Sequence, residues 1–330
     1  MSIVSLKQIR SFYCDSNATI FESAQKNGIH LEHSCLSARC RSCAVQMISG
    51  KTKDKIDDLV LSEKEKSDGW ILTCNSIPLS DIVLDTEDLG SVIIFEKRIV
   101  PAKIHEIETI NSNVVKVVLR LPPNSDFEYH SGQYVNISRG ELKRSYSIMN
   151  TYAENGMLSF LIKKYEGGSM SAYWFDQAKA NDLLRIEGPV GSFYYKESTR
   201  ENLILVATGT GIAPINSILE GLSKNNLDSA NKKIWVVFGV RTEEDLIWNA
   251  DEFKSLPSFN YIPVLSRPTN NWTGKSGYVQ DIILELGLSL EDTDVYACGS
   301  NLMIQDLQKR LLENGLSKKH FYSDAFVATN

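Results

Sequence analysis

Cys35, Cys40 and Cys43 place three thiols on one short loop at Cys-x4-Cys-x2-Cys spacing, and Cys74 adds a fourth further along the chain. Thiolates in this number and order hold a [2Fe–2S] cluster, with Cys74 completing the ligands of the second iron. Such a centre moves one electron at a time. A structural zinc ion takes short paired spacings of Cys or His at both ends, and Cys74 has no nearby partner. Rieske ligation does not fit either, because His33 precedes its cysteine and no second Cys-His pair follows.

Two further groups of residues suit phosphate and planar rings. Arg144-Ser145-Tyr146-Ser147 offers a guanidinium that can fork onto a phosphate, a flat aromatic face and a hydroxyl. The turn Gly167-Gly168-Ser169-Met170-Ser171 starts a helix, and exposed amides with the helix dipole favour a dianion there. In isolation the same turn reads as an ordinary one with an N-cap serine. Later, an apolar strand Leu203–Ala207 runs into Thr208-Gly209-Thr210-Gly211-Ile212-Ala213-Pro214. Its glycines let backbone approach a diphosphate, and Pro214 suits a helix's first turn. It is not the Gly-x-Gly-x-x-Gly fingerprint, because Pro214 holds the last place. Cys298-Gly299-Ser300 follows a strand at Val295–Ala297. A cysteine there is read as positional or as a small buried hydrophobe, not as a nucleophile. Arg241, in Phe238-Gly239-Val240-Arg241-Thr242, can reach a 2′-phosphate, an adenine face or water.

These residues need several elements to hold them. A chain of 330 residues exceeds one ordinary core, so two or three domains are expected. Composition places segment limits at 1–92, 98–200 and 201–330. In the first, Ser62-Glu63-Lys64-Glu65 fits a capping box opening a short helix, followed by Gly69 and the strand that delivers Cys74. In the second, alternating runs such as Val114–Leu121 and Gln133–Ile137 predict an antiparallel barrel. In the third, continuous apolar strands separated by amphipathic stretches predict a parallel sheet covered by helices. The expected fold is thus multidomain, α+β and α/β. Apolar residues make up 42% and the net charge is −6, with 10 basic against 14 acidic side chains over residues 1–96, which argues against nucleic acid as a partner. No run approaches a membrane span of about 18 apolar residues and no signal peptide opens the chain, so a cytoplasmic protein is expected. Cys14 and Cys298 are far apart in sequence and predict no disulfide.

The first segment resembles plant-type ferredoxins, which implies a β-grasp fold. That family usually has glycine where Ala38 stands, so Ala38 is expected to carry strain on the order of 1 kcal/mol if the backbone there is left-handed. Gly132–Val135 and Arg144–Ser147 resemble the flavin signature of the ferredoxin–NADP reductase superfamily, and Gly167–Ser171 its second flavin motif. The resemblance implies FAD held by Arg144, Tyr146, Ser147, Gly168, Met170 and Ser171, with Ser147 near the reactive nitrogen. It also implies a pyridine nucleotide at Gly209, Thr210, Gly211, Pro214, Arg241, Cys298 and Gly299, with Cys298 beside the nicotinamide. NADH is expected over NADPH. Phe326 either covers the flavin or anchors the C-terminus in the core.

In whole-chain order the sequence resembles reductases that serve a separate terminal enzyme. Ile29–Cys35, Arg144–Ile148, Arg185–Pro189, Val295–Ser300 and His320–Phe326 resemble the CDP-6-deoxy-Δ3,4-glucoseen reductase family. That implies NADH-dependent electron delivery, through FAD and the cluster, to a pyridoxamine phosphate-dependent CDP-4-keto-6-deoxyglucose 3-dehydrase, completing C-3 deoxygenation in the synthesis of CDP-3,6-dideoxyhexoses for O-antigen. The alternatives are the reductase component of a ring-hydroxylating or other multicomponent oxygenase, and a non-catalytic iron–sulfur scaffold or sensor.

Overall fold

A computed structural model describes residues 1–7, 10–57, 60–90, 95–151, 156–224 and 232–326; residue 92, the expected end of the first segment, lies outside them. The chain divides into two compact units, Met1–Ile94 and Phe95–Asn330. No helix among the described residues is long and apolar enough to cross a membrane.

The first unit is built on β1 (Ser2–Leu6), β2 (Arg10–Cys14), β3 (Ala44–Ser49), β4 (Thr52–Asp54), β5 (Trp70–Leu72), β6 (Ser76–Pro78) and β7 (Ile82–Leu84). Five of these form a mixed sheet in the order β2-β1-β7-β3-β5, with β1 parallel to β7 and the other pairs antiparallel. Alternation turns Val4, Leu6, Phe12, Ile82 and Leu84 inward. Helix α1 (Ile20–Lys26) starts at a reciprocal Thr19–Glu22 capping box and presses Ile20, Phe21 and Ala24 into the same core. Helix α2 (Glu63–Ser67) opens at the expected Ser62–Glu65 box. Gly69 then turns the chain into β5 at φ 85°, where an added Cβ would lie 2.9 Å from the Met47 carbonyl oxygen.

The second unit holds two sheets. β8 (Arg98–Asn111), β9 (Val114–Arg120), β10 (Tyr134–Arg139), β11 (Leu142–Ser147), β12 (Met157–Lys163) and β13 (Leu183–Val190) form an antiparallel sheet in the order β11-β10-β13-β8-β9-β12. Its two ends, β11 and β12, adjoin each other, so the sheet is barrel-like around Val117, Leu119, Val135, Ile137, Phe160 and Ile186. Helix α3 (Ser169–Ala172) runs into a π-helical turn at Tyr173–Gln177 that buries Tyr173 and Trp174 in this core.

The other sheet is wholly parallel: β14 (Asn202–Thr208), β15 (Lys233–Val240), β16 (Phe259–Leu265), β17 (Lys275–Ser276), β18 (Thr293–Ser300) and β19 (Phe321–Phe326), in the order β17-β16-β15-β14-β18-β19. β14, β15 and β18 are almost entirely buried, as strands covered on both faces require. Helices α4 (Ile212–Lys224), α5 (Val279–Glu285) and α6 (Asn301–Glu313) connect or flank them. Strand order reverses between β14 and β18, and ligands of such sheets bind beyond the carboxyl ends at that switch point. Replacing Phe160, which has no exposed surface, by alanine is expected to lower the stability of the second unit by about 3–5 kcal/mol. A urea unfolding curve followed by intrinsic fluorescence measures it.

Candidate functional site

The cysteine loop adopts a conformation that costs energy. Leu36, Ala38 and Arg41 have φ of 52°, 57° and 64°, each unfavourable by roughly 1–2 kcal/mol for a side-chain-bearing residue. Ala38 has the left-handed backbone on which its expected strain depends, and its methyl is buried against Cys43, Leu61 and Leu72. The strained path aims backbone donors at sulfur. The N–H groups of Ser37 and Arg39 donate to Cys35 Sγ at 3.4 Å each, and that of Cys35 donates to Cys40 Sγ at 3.3 Å.

The thiols stand as two neighbouring pairs. Cys43 and Cys74 have sulfurs 3.3 Å apart, and Cys35 is hydrogen-bonded to Cys40. Contact with Cys40, then the donors from Ser37 and Arg39, hold the Cys35 thiol down to about 5. Cys74 is lowered by Cys43 and by the Ala38 N–H, while Cys40 and Cys43 are pushed up by their partners and by burial. Among the described residues no three His, Cys, Asp or Glu side chains surround a single ion position. Two thiol pairs fit two metal positions, as a diiron centre with bridging sulfide needs, better than they fit one tetrahedral zinc. Arg41 ties this loop to α2: its guanidinium donates to the Val60 carbonyl and pairs with both carboxylate oxygens of Glu65. Arg41 holds the Glu65 carboxyl down to about 2. The sequence reading missed this pair, although an arginine inside the cysteine loop and a capping glutamate were both visible.

In the barrel, Arg144 and Tyr146 project from one side of β11 by alternation, and Ser147 is buried at the strand's end opposite Tyr134. Arg144 Nη1 donates to the Lys143 carbonyl at 2.8 Å. The buried Trp174 donates its indole N–H to the Tyr146 hydroxyl at 2.9 Å and meets its ring edge-on at 6.0 Å. Burial raises the Tyr146 phenol to about 12, so it stays protonated. Trp174 was not foreseen; the aromatic run Tyr173-Trp174-Phe175 just after the glycine turn was its signal. In that turn Gly168, not a serine, is the N-cap. Met170 is packed in the barrel core, and the Ser171 hydroxyl accepts the Tyr165 N–H at 2.9 Å. What the turn offers outward is backbone: a Cβ on Gly167 would meet nothing within 4 Å.

At the switch point the ends of β14 and β18 touch backbone to backbone. A Cβ on Gly211 would strike the Cys298 carbonyl oxygen, and one on Gly299 would strike Thr208 Oγ1. The Ser300 N–H donates to that same hydroxyl at 3.2 Å, and Ser300 caps α6 through the Met303 N–H. Gly209 has φ 55° with open space where its Cβ would point, Thr210 is buried beside it, and Pro214 lies in the first turn of α4. Cys298 has no exposed surface, and burial pushes its thiol up, which suits shape and not nucleophilic chemistry. Arg241 is exposed beyond the end of β15. Phe326 ends β19 half-buried against the core of the parallel sheet.

The residues present fit the groups that family models assign. Residues 5–79 match a 2Fe-2S iron-sulfur cluster binding domain, 101–195 an oxidoreductase FAD-binding domain and 205–309 an oxidoreductase NAD-binding domain. The chain is 35% identical over 318 residues to the CDP-6-deoxy-L-threo-D-glycero-4-hexulose-3-dehydrase reductase of Yersinia pestis, covering 96% of this chain and 95% of that one. It is 33% identical to protein RfbI of Salmonella typhimurium, covering 94% and 92%. The toluate 1,2-dioxygenase electron transfer component of Pseudomonas putida is 28% identical, with 96% and 95% covered. The crystal structure of the Amycolatopsis cytochrome P450 reductase GcoB shares the fold at a TM-score of 0.74, 24% identity and 99% coverage of each chain.

Two outcomes test this geometry. Glu65 is ionised in the folded protein at pH values where an unfolded glutamate is already protonated, so its contribution is full above a pH of about 4.5 and lost toward about 2. The difference in thermal midpoint between wild type and Glu65→Gln should narrow across that window. Gly299→Ala should part the two strand ends, costing about 1–3 kcal/mol and weakening NADH binding measured by fluorescence titration.

Proposed function

We propose that this chain, which belongs to the CDP-6-deoxy-Δ3,4-glucoseen reductase family, passes electrons from NADH by way of FAD and a [2Fe–2S] cluster to a separate dehydrase. That acceptor is a pyridoxamine phosphate-dependent CDP-4-keto-6-deoxyglucose 3-dehydrase, and the electrons complete C-3 deoxygenation in CDP-3,6-dideoxyhexose synthesis. Near-full-length similarity to two dehydrase-linked reductases of Yersinia, at 35% and 34%, carries the choice of acceptor. The oxygenase reading keeps the support of the 28% identity to the toluate dioxygenase component.

The functional segments are 1–92, 98–200 and 201–330. Cys35 with Cys40, and Cys43 with Cys74, each hold one iron, and the donors from Ser37, Ala38 and Arg39 stabilise sulfur-borne charge. Arg144 binds a cofactor phosphate, Tyr146 presents its face with Trp174 fixing its tilt, and Ser147 offers a hydroxyl at the strand's end. Gly168, Met170 and Ser171 contribute through backbone. Gly209, Thr210, Gly211 and Pro214 take the pyridine nucleotide diphosphate at the start of α4, Arg241 the adenosine half, and Cys298 with Gly299 shapes the floor beneath the nicotinamide. Phe326 borders that floor. When bound, NADH supplies a hydride, FAD converts a two-electron input to one-electron output, and the cluster is the outlet. All six cysteines are free, as a reducing compartment permits, and we place the activity in the cytoplasm.

Anaerobic NADH titration of the purified holoprotein should reduce flavin and cluster together, and NADH consumption should depend on added dehydrase and its CDP-sugar substrate. A cluster that stays oxidised while flavin bleaches would remove the relay; turnover with an oxygenase component and none with the dehydrase would select the other acceptor. Cys74→Ser should keep flavin reduction and lose one-electron output.

A further inference from the structure

Helix α4 begins at the Gly209–Gly211 turn and carries it into the rest of the second unit. It is largely apolar, yet Asn216 and Ser217 are 5% and 0% exposed. Burying an amide and a hydroxyl is unfavourable unless their polar atoms are paired. Asn216 Nδ2 donates to the Met149 carbonyl and to Glu220 Oε1, both at 2.9 Å, and its Oδ1 accepts the Trp248 indole N–H at 2.8 Å. Ser217 Oγ donates to the Asn150 carbonyl at 2.9 Å, and Glu220 Oε2 accepts the Thr151 N–H at 2.9 Å. One turn of α4 thereby grips three successive backbone residues just beyond Ser147, where the chain leaves β11. The same helix also packs closely on the turn before β10, since a Cβ on Gly132 would lie 3.2 Å from Ile218 Cδ1.

We propose that Asn216 is a positioning residue for the hydride-transfer step. Together with Ser217 and Glu220 it fixes α4, and with it the nucleotide turn, to the segment leaving the flavin strand. The spacing it sets is that between nicotinamide and flavin, and the proposal rests on the assignment of NADH and FAD to these two sites. A leucine has the same branching, though it is larger, and would suit the apolar face. An amide with both N–H donors and its oxygen bonded adds what leucine lacks, a fixed rotation and height of the helix. Hydride transfer needs reacting atoms about 3–3.5 Å apart, and a slip of roughly 1 Å costs on the order of 100-fold in rate.

The test is anaerobic stopped-flow reduction of holoprotein by NADH. Asn216→Ala and Asn216→Leu should keep FAD content and NADH affinity near wild type. The limiting rate of flavin reduction should fall on the order of 10- to 100-fold, and the long-wavelength absorbance of a stacked nicotinamide–flavin pair should weaken. Ser217→Ala, which removes one bond, should shift both readouts the same way by less, and it serves if the Asn216 variants do not fold. Variants that reduce flavin at the wild-type rate, or lose rate only in proportion to flavin lost, would overturn the positioning role alone. A wild-type protein that binds neither FAD nor NADH would overturn the site assignment and this proposal with it.

Discussion

Two pairs of close thiols resist ionising together, because neighbouring thiolates repel and burial disfavours their charge, and the first unit is arranged around that difficulty. Its response is hydrogen bonding from the loop itself: the Ser37 hydroxyl and the amides of Ser37 and Arg39 serve Cys35, the Ser42 hydroxyl Cys40 and the Ala38 amide Cys74. Aiming successive amides inward forces the chain through the left-handed region at Leu36, Ala38 and Arg41. Those residues hold an unfavourable backbone only because other contacts over-determine it. The Arg41–Glu65 pair supplies one such restraint, and Glu65 is at the same time the capping residue of α2. Helix, loop and thiol geometry are therefore linked through a single carboxylate.

The second unit meets a steric constraint in place of an electrostatic one. At the ends of β14 and β18 the two loops press on each other backbone to backbone, which leaves no room for side chains between them. Gly211 and Gly299 are the positions where only a hydrogen fits. Burial of Cys298 follows from the same approach, because its carbonyl is what Gly211 rests against. A cysteine there is small enough to pack and uncharged enough to bury, with its thiol pushed up by desolvation.

Features set by local chemistry were legible in the sequence. The cysteine spacing, the Ser62–Glu65 box, the Pro214 helix start and the change from alternating to continuous apolar strands each depend on near neighbours in the chain. What was not legible depends on tertiary partners. The aromatic run at Tyr173–Phe175 is visible in the sequence, but which partner Trp174 supports is not, since it meets Tyr146 only through the π-helical turn packing on β11. That the Met170 and Ser171 side chains turn to the barrel core and to the Tyr165 amide, leaving backbone outward, was likewise not visible locally. Ala38 is an intermediate case: the usual glycine of plant-type ferredoxins raises the question of a left-handed backbone, whereas its answer and the apolar niche receiving the methyl require the fold.

The division of the chain matches the two kinds of transfer it serves. A hydride moves only between atoms in near contact and proper alignment, and the barrel and parallel sheet share one compact unit joined by buried hydrogen bonds from Asn216, Ser217 and Glu220. The Lys196 N–H adds another, donating to the hydroxyl of the buried Tyr296 at 2.9 Å. An electron makes no comparable demand for alignment, and the cluster lies in a unit with its own sheet and its own core. Rigid coupling is therefore spent where a small displacement is costly in rate. The one-electron module can remain structurally self-sufficient, because its internal problem, four sulfurs and their charge, is solved within residues of its own.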